Sequence, residues 1–224
     1  MTWRAVLAPV AGAVAAVAAL GYAQVTLPEQ PLISDYALVP GGMLPVLAGT
    51  LALAAACLAL AYGLAAREPG RTAATRVLLL AGAAGLMLSA IFPTDPGMSD
   101  VSTLGGEIHR WSAAVVFTAL PVAGWTLARG RAAAARWSAV KALSVTSGLT
   151  LVAYLAAHPA AVTSSLIGGE AYYGLLERGL VLAEIVLVVA MALACAPGRA
   201  AARVQGTRAT GAPAQPESPQ QLAA

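Results

Sequence analysis

Residues 42–66 read GMLPVLAGTLALAAACLALAYGLAA, without one charged side chain, and Arg67-Glu68-Pro69-Gly70-Arg71 follows at once. About 20 apolar residues, rising 1.5 Å each, span a hydrocarbon core about 30 Å thick. An open chain satisfies its backbone there only as a helix. Pro45 falls in the first turn, where its missing N–H has no partner to lose. The stretch is apolar throughout, with no alternation, which excludes the strands of a membrane barrel. It reads as a membrane-crossing helix with a basic end.

Five further runs of this kind flank it, at 3–25, 72–92, 108–128, 138–157 and 172–196. Pro93 stops the third run in chain order, His158-Pro159 the fifth and Pro197-Gly198 the last, while Pro121 is expected to bend the fourth. Of 224 residues 59% are hydrophobic and 10% charged, and the mean hydropathy is +0.76. A soluble domain carries about 25% charged residues. These values exclude a disordered chain, a nucleic-acid binder and an ordinary cytosolic enzyme. The predicted fold is all-α: an integral membrane bundle of six transmembrane helices forming one domain over 1–198. The remainder, 199–224, is rich in Ala, Gln, Pro, Ser and Thr and is expected to be a disordered cytoplasmic tail. The first run also resembles a secretory signal, through Arg4 and Gly21-Tyr22-Ala23-Gln24. It is longer than the 7–15 apolar residues of a signal core, which favours a retained helix. Cys57 and Cys195 sit in apolar runs and read as small core residues.

The connections alternate in charge. Arg67, Arg71 and Arg76 surround the second-to-third, and Arg129, Arg131, Arg136 and Lys141 the fourth-to-fifth. Arg4 lies at the start, and Arg199, Arg203 and Arg208 follow the last helix. The other three connections carry Glu29, Asp35, Asp95, Asp100, Glu107 and Glu170, with no Lys or Arg. The positive-inside rule then places both termini in the cytoplasm and the acidic loops outside, in the plasma membrane. Arg110 and Arg178 are the exceptions among thirteen basic residues. This distribution accounts for the net charge of +3 through loop anchoring and anionic lipid headgroups, without nucleic acid. The dominance of Arg over the single Lys141 hints at a high-GC bacterial source.

Ionisable groups at membrane depth are costly and face a partner or water. Glu184 is near the midpoint of its segment with no basic residue three or four places away, and it shares a face with Glu177, seven residues earlier. Arg178 is expected either to snorkel outward or to pair with an outer carboxylate. Ser147, Thr150, Tyr154 and His158 form one polar stripe on the fifth helix, read either as glue between helices or as a water-lined path. In Phe92-Pro93-Thr94-Asp95-Pro96, Asp95 is either a turn cap or an acid fixed on the outer rim. Glu107 suits a helix N-terminus, and Arg110 three residues on is spaced to pair with it. His109 is either satisfied by a loop carbonyl or is a ligand or proton-handling group.

Phe92-Pro93-Thr94-Asp95-Pro96, with Gly106-Glu107-Ile108-His109 downstream, resembles the motif of a bacterial membrane family called domain of unknown function 998. Ser34-Asp35-Tyr36 and Arg178 are also similar to it. The resemblance covers about residues 5–196. It implies a multi-helix integral membrane protein and carries no activity, cofactor or substrate.

Three classes of function remain open. The first is a small membrane scaffold, or a protein that binds lipid or a small molecule. Its ligand-site candidates are Asp35, Asp95, Glu107, His109, Tyr154, His158, Arg178 and Glu184. As a pure scaffold it would use a network of Glu107 and Asp95 with Arg110 and Arg178. The second is an outer-leaflet enzyme with His109 and Asp95 as catalytic candidates. It would set Asp95, His109 and His158, with Asp35, around a metal ion or an activated water, although no His-x-x-x-His spacing supports it. The third is a proton-coupled transporter of a small solute, working through Glu184. No motif implies a cofactor. Membrane lipids are the expected partners, and association into a homo-oligomer is open.

Overall fold

A computed structural model describes residues 3–96 and 103–196. The tail 199–224 and Asp100 lie outside the described residues. The described chain is all-helical: α1 (Trp3–Thr26), a short 3-10 helix (Ser34–Leu38), α2 (Met43–Ala65), α3 (Ala73–Ile91), α4 (Leu104–Ala128), α5 (Ala135–Ala157), α6 (Val162–Ile167) and α7 (Glu170–Ala194). Each apolar run forms its helix, because sequestered backbone has no other way to pair its N–H and C=O groups.

The long helices pack in a closed circuit, α1 on α2, α2 on α3, α3 on α4, α4 on α5, α5 on α7 and α7 back on α1. Small residues set the spacing. A Cβ at Gly12 would stand 2.8 Å from the Ala52 carbonyl on α2, and one at Gly85 would stand 2.8 Å from the Ser112 carbonyl on α4. Such close backbone approach is how helices associate where lipid offers no hydrophobic advantage. The core is aliphatic, with Leu60, Leu79, Leu120, Leu187 and Met191 fully buried. Val14, Leu80, Leu149 and Leu182 point outward, the surface expected against hydrocarbon tails.

The helices α1 to α5 are long and apolar enough to cross a membrane. Glu177, Arg178 and Glu184 leave α7 too polar to meet the same measure, although it is 25 residues long. It also touches α2 and α4 besides α1 and α5. Much of its surface therefore meets protein, where ionisable groups find partners.

Three helix starts differ from expectation by two residues or more, α7 beginning at Glu170 and not at 172. α4 begins at Leu104, not at 108, because Thr103 caps it by accepting a hydrogen bond from the Gly106 N–H at 3.0 Å. α5 begins at Ala135, not at 138, taking Arg136 and Trp137 into its first turn. α4 continues through Pro121. The 3-10 helix and α6 occupy connections that read as irregular. α6 ends at Gly168, which adopts φ 63°, a conformation open to glycine at little cost.

The two ends of the bundle are built differently. At the arginine end, Arg131 makes a two-pronged pair with Glu68, at 2.7 and 3.0 Å. Its guanidinium also lies 4.7 Å from the Trp137 ring centroid. Arg67 donates to the Cys195 carbonyl at 2.6 Å and Arg71 to the Gly130 carbonyl at 2.9 Å. Arginine thereby ties together the α2–α3 turn, the α4–α5 turn and the end of α7. The opposite end carries the three acidic connections.

Candidate functional site

At the acidic end, Asp95 lies between Pro93 and Pro96 in the turn after α3 and closes onto the start of α4. Thr103 donates its hydroxyl and its backbone N–H to the two carboxylate oxygens, at 2.7 and 2.9 Å. Asp95 therefore holds the residue that caps α4. A side chain on Gly106 would collide with the Asp95 carboxylate, which accounts for the glycine at 106. One turn into α4, the His109 Nδ1 lies 2.8 Å from the Phe92 carbonyl and 3.1 Å from that of Ser89. Carbonyls only accept, so Nδ1 carries the hydrogen and satisfies orphan groups at the end of α3.

Adjacent residues of α7 grip one loop from both sides. The Glu177 carboxylate accepts from the Ile33 N–H at 2.6 Å. Arg178 donates to the carbonyls of Gln30 at 2.6 Å and Pro31 at 2.9 Å, and to Gly174 in its own helix at 2.9 Å. Arg178 reaches outward, to loop carbonyls and not to a carboxylate. Its bonds are to backbone oxygen, because the loop after α1 arrives with unpaired carbonyls just where the guanidinium emerges. Asp95 is fastened to Thr103, and Arg178 to residues 30–31. Asp35 is buried in the 3-10 helix and accepts from the Leu32 N–H at 3.2 Å. Burial raises its pKa above the ordinary carboxylate value, against the Leu32 bond and the nearby His109 and Arg178. Glu107 stands exposed in the first turn of α4.

Between these fastenings lies a cavity of about 440 Å³, bordered by residues of α1, α2, α3, α4, α5 and α7. Its mouth carries His109, Arg110 and His158, and its walls carry Phe117, Tyr154 and Tyr173. The Tyr173 hydroxyl donates to that of Tyr154 at 2.6 Å, with the rings stacked at 4.5 Å. Phe117 meets Tyr154 edge-on at 6.1 Å, and His158 meets Tyr173 in the same way at 5.3 Å. The His158 Nδ1 accepts from the Ala160 N–H at 3.1 Å. Burial, and then the charge of Arg110, lower its pKa.

Glu184 borders the same cavity and is 1% exposed, and its Oε1 has no hydrogen-bond partner among the described residues. Gly124, Ser144 and Leu187 meet one level further in, and the Ser144 hydroxyl is spent on the Val140 carbonyl at 2.8 Å. Ser147, one turn along α5, is fully buried and likewise lacks a partner for its hydroxyl.

The family model described as "Protein of unknown function (DUF998)" matches residues 5–194. The chain belongs to this family. No curated protein and no solved structure matches it. The family's description assigns no activity, and the five long apolar helices fit a multi-pass membrane protein. The Phe92–Pro96 turn and Gly106, which carried the resemblance, form the cap of α4 in this member.

Of the candidates singled out from the sequence, His109, Tyr154, His158 and Glu184 border the cavity together. Asp35, Asp95, Glu107 and Arg178 do not; three of them fasten loops and Glu107 faces out. No three His, Cys, Asp or Glu side chains come together as metal ligands among the described residues. Arg110, Phe117, Tyr173 and Glu177 border the cavity but were not among the site candidates. A signal existed for two of them. Tyr173, Glu177, Val181 and Glu184 follow steps of four, four and three, which is one face of a helix.

Proposed function

We propose that this family member binds an amphipathic small molecule or lipid inside the membrane, in the cavity that ends at Glu184. The observation carrying this reading is a space of about 440 Å³ with polar groups at its mouth, aromatic and aliphatic walls, and a buried carboxyl at its inner end. Binding cavities of a few hundred Å³ lined by apolar side chains, with a few placed polar groups, suit a ligand of that kind. In this reading α7 is the sixth crossing and both termini are cytoplasmic. The acidic connections lie outside a bacterial plasma membrane, and the mouth faces the outer leaflet. The arginine-rich connections support that orientation.

The test is native mass spectrometry of the protein released from lipid bilayers, beside the variant Val181→Phe, which places a ring where the cavity wall now has a small side chain. The wild type is expected to retain a bound small molecule or lipid at one per chain, and the variant to lose it at unchanged yield. Equal retention by both, or no retained molecule and no thermal shift with added lipid extract, would overturn the reading.

A further inference from the structure

The inner end of the cavity points to the kind of ligand, and this step rests on the binding reading above. We propose that the cavity takes a lipophilic amine, whose protonated nitrogen is held by Glu184. Three observations converge. The Glu184 carboxyl is buried at the cavity wall with Oε1 unpartnered among the described residues. A buried carboxyl left this way is unfavourable until a donor or a cation meets it. The basic side chains bordering the cavity, His109, Arg110 and His158, all belong to its mouth, at the start of α4 and the end of α5. Glu177 is the other acid on this face. It lies seven residues outward, roughly 10 Å along the helix, and is occupied by the Ile33 N–H.

The inner half therefore presents one carboxyl and no base of its own. Its walls supply the rest of the match. Phe117 and Tyr154 offer aromatic faces to a hydrocarbon or aryl body and to positive charge, while Leu53 and Val181 close the remaining sides.

The experiment uses the whole chain in nanodiscs of zwitterionic phosphatidylcholine, which lack a surface charge that would attract amines. Two probes of nearly the same shape, 4-phenylbutylamine and 4-phenylbutanol, are titrated by calorimetry against protein-loaded and empty discs. The wild type is expected to bind the amine saturably at least tenfold more tightly than the alcohol. Glu184→Gln, close in shape and still folded by its melting curve, is expected to lower the amine to the level of the alcohol. Equal saturable binding of both probes by the wild type would overturn the amine assignment and leave the cavity as a binding site. An undiminished preference in Glu184→Gln would also overturn it. Saturable binding of neither probe would overturn the amine assignment, and native mass spectrometry then decides the broader reading separately. The wild-type comparison needs no variant to fold.

Discussion

Replacing Arg178 with Met keeps the length and apolar stem of the side chain and removes its three hydrogen bonds to Gln30, Pro31 and Gly174. A hydrogen bond from a charged donor contributes about 1.5–3 kcal/mol. The three share one guanidinium, and the bond to Pro31 is exposed, so they do not add. A loss of about 3 kcal/mol in total is expected. For a chain of this size each kcal/mol moves the melting temperature by about 2–4 °C, so the fall is about 6–12 °C. Tryptophan fluorescence during a thermal ramp in mild detergent reads it directly. Arg178→Lys, which keeps a charge and reaches one carbonyl, falls between. Glu177→Ala combined with Arg178→Met should cost less than the sum of the two, since both changes release the same loop. A melting temperature for Arg178→Met within 2 °C of wild type would refute the idea that this side chain fastens residues 30–31.

Three further outcomes follow from the two ends of the bundle. Thr103→Ala removes the cap of α4 and the partner of Asp95, and is expected to cost about 1–2 kcal/mol; a melting curve unchanged from wild type would contradict this. Gly106→Ala forces a methyl against the Asp95 carboxylate and should destabilise the protein at least as much as Thr103→Ala, with the double change Gly106→Ala and Asp95→Ala recovering part of the loss in the same assay. Arg131 bonded to Glu68 holds that carboxyl below its ordinary pKa. A depressed acid stabilises the fold above its unfolded value near 4.5, and the contribution disappears as pH falls through the lower folded value. Melting temperatures between pH 6 and pH 3 should therefore drop more steeply in wild type than in Glu68→Gln; parallel curves would remove the ion pair from the account.

The helices were legible because apolarity sustained over about 20 residues is a property of each segment alone. Their ends were less so. Gly105-Gly106 reads as loop, and only Asp95, brought back from the preceding turn, makes Thr103 a cap there. The brief 3-10 helix and α6 leave no apolar period to read. Glu184 stood out because its neighbours at three and four places offer no charge, and that isolation persists in three dimensions. The partners of the other polar residues were hidden for a common reason. Arg178 and Glu177 bind backbone groups, and backbone carries no mark in the sequence. Tyr173 joins Tyr154 across the α5–α7 pair, and spacing within one helix cannot say which face of the next it meets.

The grip of Glu177 and Arg178 on residues 30–33 joins the first and last long helices, and so fastens the two halves of the chain to each other. A rocking motion of α1–α3 against α4–α7 would have to tear away an acid and a base together before it began. Trp111, Thr118 and Leu155 border the cavity and are exposed on α4 and α5, on the flank of the bundle and away from this grip. Under the binding reading proposed above, a guest passing between them would come from the lipid phase without the two halves having to part.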